Sequence, residues 1–211
     1  MMEALSMRGV DVLLLCTHLD ITGAAYRRVS YLAKYLQSKH LKVVCASPLK
    51  LTSYGVLRPK DYVVTSLSVS SRSFAAQLLN VVLSFPLTVL VLVLRPKVVL
   101  VSIPDSYLVL ASYLGCTLTR AKLVVDIRDP EEEITVWRYR RGLSGLLSKM
   151  YRRVNYAIYR RSHAVVGVTR SLVAMLTRKI GRPVCLAPNG ADLEVFKPFD
   201  KSVARKGLGL D

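Results

Sequence analysis

The chain has 211 residues, 52% of them apolar, which is enough to bury the core of one medium domain but hardly two. Lys and Arg number 31 against 14 Asp and Glu, a formal charge of +17, yet the mean hydropathy is +0.34. A disordered basic tail would lack so much Val, Leu and Ile, so disorder is excluded for most of the length and a globular domain with a basic face is expected.

Cys16, Cys45, Cys116 and Cys185 stand far apart without a CxxC pair, and His18, His40 and His163 complete no metal-ligand spacing. Buried free thiols are expected, with no metal and no cofactor. Residues 1–10 read as a tail; with Glu3 and no apolar core before Asp11, they do not resemble a signal peptide.

In chain order, the apolar run 11–16 predicts a strand, THLDITG a loop, and 24–39 a helix whose Val29, Leu32, Ala33 and Leu36 form one stripe. Strands are predicted over 41–46 and 63–67. The uncharged stretch 75–94 is long enough to span a bilayer, but Gln77, Asn80, Ser84, Pro86 and Thr88 are spread through it. The expected structure is a buried helix over 73–94, bent or broken at Pro86, that feeds the next strand.

That strand is predicted over 98–102, followed by a helix over 107–116 and a strand over 122–126. A long helix over 143–161, a strand over 164–168, a helix over 171–180 and a strand over 184–187 complete the pattern. Nearly continuous apolar strands separated by helices predict an α/β domain with a Rossmann-like parallel sheet covered on both faces. In the long helix, Leu143, Leu146, Leu147, Met150, Val154, Ala157 and Ile158 fall within about 60° of one direction and are expected to face the sheet. Lys149, Arg152, Arg153 and Arg160 then form a positive outer face. The charge is regional: residues 134–191 contain no Asp or Glu, while 12 Lys or Arg lie between Arg138 and Arg182.

In an open parallel sheet, ligands bind beyond the carboxyl ends of the strands, so the loops there carry the candidate chemistry. Gly23 is followed by Ala24 and Ala25 at a predicted helix start, where small residues leave amides open to an anion or simply make a tight turn. It is not GxGxxG, so a dinucleotide site is not expected. The loop DIRDPEEE gathers Asp126, Arg128, Asp129 and Glu131, Glu132 and Glu133. The three glutamates cap the next helix or face the basic surface. Asp126, ending an apolar strand, is hard to explain as a solvated side chain, and Arg128 with Asp129 makes a local ion pair or serves a site. Asp105 in IPDS is a site residue or a turn cap. His18 stands where an acceptor-contacting group would; His40 and His163 read as solvated or structural, and no Ser, His and Asp set assembles from spacing.

The loop with Gly23, IPDS, VVDIRDP, VVGVTRSLVAML and CLAPNGADLEVFKP together resemble the N-terminal half of a family-4 glycosyltransferase with the two-domain GT-B fold. The most specific segment is PNG, an aspartate two residues on, and Phe-x-Pro, the hinge at the end of the first domain in such enzymes. The resemblance implies an N-terminal domain over 11–188 and a hinge segment over 189–211 that includes Asn189, Gly190 and Asp192. It implies retaining transfer from a nucleotide sugar, with the donor residues in a second domain beyond this sequence, and a glycan or lipid-linked acceptor bound by this half. His18, Gly23 and Ala24 correspond to acceptor or donor-phosphate contacts, and Asp105, Asp126, Arg128 and Asp129 to catalytic positions. The first loop departs from relatives in having one glycine.

A single wall of the cleft cannot hold donor and acceptor together, so the chain alone is expected to lack turnover. A lipid-linked acceptor also gives Lys149, Arg152, Arg153 and Arg160 a partner, an anionic membrane on the cytoplasmic side. An apolar patch left by the missing half would permit a homodimer. The alternatives are a subunit of a split transferase, a non-catalytic regulator, and a nucleic-acid-binding domain, the last disfavoured because no recognition helix or aromatic-basic platform is present.

Overall fold

The computed structural model describes residues 9–17, 24–52, 55–56, 63–69, 73–103, 106–191, 198 and 200–210. Strand β1 (Val12–Cys16) leads to helix α1 (Ala24–Ser38), then β2 (Val43–Thr52), the short β3 (Gly55–Val56) and β4 (Val63–Val69). Helices α2 (Phe74–Leu83) and α3 (Pro86–Leu94) follow one another through Ser84 and Phe85, both in the αR conformation, and lead to β5 (Val98–Ile103), α4 (Leu108–Thr119) and β6 (Lys122–Ile127). The chain continues through α5 (Glu131–Arg138), α6 (Gly142–Arg161), β7 (Ala164–Gly167), α7 (Arg170–Ile180), β8 (Cys185–Leu186) and α8 (Lys201–Gly207).

The sheet runs β3-β2-β1-β5-β6-β7-β8, with β4 paired to β2. Every pairing is parallel except that of β3 with β2. The chain builds outward from β1 through β2 to β4, then returns through α2 and α3 to lay β5 on the other side of β1. This reversal opens a crevice at the carboxyl ends of β1 and β5, where ligands bind in such sheets.

Side-chain alternation fixes both faces. Val12, Leu14 and Cys16 pack with Val29 and Ala33 of α1 on one face. Leu13 and Leu15 point the other way, into the main core with Leu87 and Val91 of α3 and Leu108 of α4. β1 is buried along its whole length, which explains its unbroken apolar sequence. α3 and α4 approach closely because residue 115 is glycine: a Cβ there would lie 2.8 Å from Val91 Cβ.

The predicted break at Pro86 is present. Proline lacks the amide and its ring crowds the preceding turn, so one helix ends at Leu83 and another starts at Pro86. The predicted burial holds for one face only. Leu87, Val91 and Leu94 lie in the core, and polar members are inside with them: Asn80 accepts from Val69 N at 2.8 Å and donates to Val69 O at 2.9 Å, and Ser84 Oγ donates to Val81 O at 2.7 Å. Other apolar residues, such as Val82, Val89 and Val93, face outward.

The long helix α6 corrects the sequence reading in the same way. Leu143 is 71% exposed and Met150 51%, with Leu146 and Val154 also exposed, whereas Gly145, Ser148, Asn155, Tyr156, Ile158 and Tyr159 are buried. Ile158 alone of the expected stripe is fully buried. The buried face is polar because it meets carboxylates of α5, described below. The short elements β3, α5 and α8 are additional to those the periodicity predicts. All four cysteines are free, but Cys185 is exposed rather than buried, because it lies on a two-residue strand at the sheet edge.

Candidate functional site at the carboxyl edge of the sheet

β1, β5 and β6 end together, and the same alternation that buries Val125 and Ile127 in the main core turns Asp126 toward α1. Ser102 is its register partner on β5 and points the same way. Asp126 is only 2% exposed, so its carboxylate needs partners. Ser102 Oγ donates to Oδ2 at 2.9 Å; Arg28 of α1 donates through Nε to Oδ2 at 2.9 Å and through Nη2 to Oδ1 at 2.8 Å.

The rest of the Arg28 guanidinium reaches the segment after β8. Nη2 also donates to Ala187 O at 3.0 Å, and Nη1 donates to Asn189 Oδ1 at 2.9 Å and Pro188 O at 3.4 Å. A guanidinium has five N–H donors, and these five bonds use them all. Arg28 thus ties α1, the end of β6 and residues 187–189 into one unit. The sequence hid this residue because it sits at the margin of the α1 stripe among other basic residues; its one clue is a position four residues before Leu32.

Arg128 is arranged in the opposite sense. It makes no ion pair with Asp129, which is exposed on the rim. Its Nη2 lies 3.9 Å from Cys16 Sγ, and its Nε is buried without a hydrogen-bond partner among the described residues. Thr17 Oγ1, just past β1, is likewise buried and unpartnered. α1, which brings Arg28 to this edge, begins one turn earlier at Ala24 with no acidic residue in its first turn. Among the described residues, a cation with an unpartnered donor, an unpartnered hydroxyl and a helix N-terminus therefore share one edge, an arrangement suited to an anion.

The glutamates of DIRDPEEE open α5 and favour its N-terminus electrostatically. Glu132 points inward, where its Oε1 accepts from Tyr159 Oη and, at 3.3 Å, from Asn155 Nδ2. Burial pushes its carboxyl above the usual carboxylate range, against the hydrogen bonds from Tyr159, Ser106 and Asn155. Ser106, which follows IPD, also bonds Tyr151 Oη at 3.0 Å. The loops after β5 and β6 are thereby fastened to α6. Glu133 accepts from Arg152 Nη1 at 2.8 Å, Tyr156 Oη at 2.9 Å and Lys179 Nζ at 3.2 Å. Its burial acts upward, but the bonds from Tyr156 and Lys179 and the charge of Arg152 outweigh it and leave the carboxyl below its ordinary value.

Asp126, Arg128 and Asp129 are brought to this edge together with Asn189 and Gly190. Asp105, His18, Gly23 and Asp192 lie outside the described residues, and of Ala24 only the backbone is described. Arg152 is not a free outer cation as expected, since Glu133 holds it against α5; Lys149, Arg153 and Arg160 are exposed. His40 is exposed past α1 with φ 61°, and His163 uses its backbone, donating to Leu123 O at 2.7 Å. A shallow cavity of about 250 Å³, lined by Arg120, Lys122, Arg161 and His163 among others, lies at the opposite, amino-terminal edge of the sheet.

No curated protein matches the chain. The sequence profile of Glycosyltransferase Family 4 matches residues 1–195, nearly the whole length. With this match over nearly the whole chain and a parallel sheet whose order reverses at β1 and β5, the chain belongs to glycosyltransferase family 4.

Proposed function

We propose that this domain is the acceptor-side wall of a retaining glycosyltransferase that uses a nucleotide-sugar donor and a lipid-linked or glycan acceptor. The observation that carries the reading is the pairing of opposites at one edge of a family-4 domain: Arg28 with every donor used, Arg128 with a buried donor that has no partner among the described residues. In the transfer, an acceptor hydroxyl oxygen bonds to the anomeric carbon, the bond from that carbon to the diphosphate oxygen breaks, the nucleoside diphosphate leaves with the bonding electrons, and the hydroxyl proton passes to the departing phosphate oxygen. Developing charge on that leaving group is stabilised by preorganised donors. Arg128, the Thr17 hydroxyl and the N-terminus of α1 supply them, and Asp129 on the rim faces the acceptor. Asp126 acts by position: its carboxylate already accepts three hydrogen bonds, and through Arg28 it sets residues 187–189, the start of the hinge.

Half of a two-walled site is expected to bind without turning over. The test uses the 211-residue chain with inorganic pyrophosphate, followed by ³¹P line broadening, beside a transfer assay with a panel of nucleotide sugars. Arg128→Ala should weaken pyrophosphate binding about tenfold, the loss of one charge-assisted hydrogen bond. Arg28→Ala should lower the melting temperature. Equal pyrophosphate binding by Arg128→Ala, or sugar transfer by the isolated chain, would falsify the half-site reading.

A further inference from the structure

Two elements on the main-core side of the sheet leave apolar ridges outside. The α2–α3 run carries no charged residue over Phe74–Leu94, a stretch of mean hydropathy 2.2, yet only 33% of its most apolar window is buried. Gln77, Asn80 and Ser84 face the protein together with Phe74, Leu87, Val91 and Leu94, while Leu79, Val82, Phe85, Val89 and Val93 face out. α6 repeats this with Leu143, Leu146, Met150 and Val154 outside. The two are joined through aromatic contacts, Phe74 of α2 stacking 5.3 Å from Tyr139 and 6.4 Å from Tyr151 of α6. Trp137, 71% exposed, ends α5 beside that junction.

The cations on this side are exposed: Arg138, Arg140 and Arg141 next to Trp137, and Lys149 and Arg153 flanking the apolar stripe of α6. No acidic residue occurs between 134 and 191 to neutralise them. From this we infer that the outward ridges of α2–α3 and α6 form one docking surface that rests in the headgroup region of an anionic bilayer. Apolar residues enter the headgroup and acyl boundary, and the arginines around Trp137 meet lipid phosphates.

Charge complementarity selects this occupant over a second copy, whose facing surface would bring the same acid-free cations together. The run Phe74–Leu94 is long and apolar enough to span by length and composition, but Asn80 bonds the backbone of β4 and Leu87, Val91 and Leu94 lie in the main core, so it stays packed on the domain and offers only its outer ridge. The basic face expected from sequence is thereby replaced by an apolar face with a basic rim. This goes beyond the transferase reading, and its test requires no turnover, so failure of one leaves the other standing.

Trp137 is the only tryptophan in the chain and reports on this surface directly. The 211-residue protein is mixed with vesicles of phosphatidylcholine, with and without phosphatidylglycerol, and followed by tryptophan emission and flotation. Binding to the anionic vesicles with a blue shift is expected, together with weakening by salt. Val82 and Val89 are 63% and 59% exposed, so Val82→Asp with Val89→Asp should leave melting unchanged while lowering partition about tenfold. Lys149→Glu with Arg153→Glu should lower it severalfold and reduce the salt dependence. Failure of the wild type to float, equal partition onto neutral vesicles, or unaltered partition of the valine variant each overturns the inference. So does a blue shift that needs no vesicles and tracks dimer formation in sedimentation.

Discussion

α6 and α7 are neighbours on one side of the sheet and both are amphipathic in sequence, but they orient by different rules. α7 buries Leu172, Leu176 and Ile180 and leaves Arg178 and Lys179 near solvent, as its spacing predicts. α6 buries Ser148, Asn155, Tyr156 and Tyr159 and exposes Leu143, Leu146 and Met150. The difference lies in what each helix meets. α7 packs on the apolar face of β7, whereas α6 packs on α5, whose Glu132 and Glu133 need donors. A buried carboxyl without donors costs more than an exposed leucine, so the polar stripe wins the interior. Periodicity finds two faces; it does not say which one the neighbour requires.

The sharpest way to break this contrast is to truncate a leucine on each helix. Leu176→Ala should cost about 2–5 kcal/mol and Leu146→Ala less than about 0.5 kcal/mol, by urea denaturation. Comparable losses would mean that the outer stripe of α6 is covered. A smaller and signed effect comes from pH. The Glu132 carboxyl is raised in the folded state, so its contribution is full below the unfolded value and is lost as pH rises through the folded one. Glu132→Gln, which keeps the shape and an acceptor, should therefore gain melting temperature relative to wild type as pH rises. Glu133 is lowered, so its contribution is present above the unfolded value and lost as pH falls; Glu133→Gln should lose ground as pH rises. Parallel pH profiles for the two variants would refute the assigned environments. Smallest is the difference in caps: Thr169 Oγ1 accepts from Leu172 N at 3.2 Å, while Arg141 at the start of α6 makes no side-chain cap. Thr169→Ala should cost about 1 kcal/mol, and Arg141→Ser should gain a similar or smaller amount by the same denaturation.

The alternation of strands and helices is legible along the chain because each strand of the parallel sheet is apolar nearly throughout and each loop is polar. Even the break at Pro86 is local, set by a missing amide. The candidate edge is legible in part: Asp126 stands out as a carboxylate closing an apolar strand. Arg28 does not, because nothing local marks an arginine whose five acceptors come from residues 98 to 161 positions away. β3 and α8 are too short for a periodic signal, and α5 is masked by the charges of DIRDPEEE.

The sequence by itself determined one α/β domain, its order of elements, its strongly basic balance and the motifs that place it in its family. Those properties depend on residue type, local backbone preference and short-range spacing. Only the tertiary structure decided which side of each amphipathic helix turns inward, which of two arginines at the same edge has all its donors bonded and which has a buried donor without a partner among the described residues, and which apolar residues stay outside. Each of those outcomes depends on the neighbour that a buried polar group must find, and that neighbour is set by packing across the sheet.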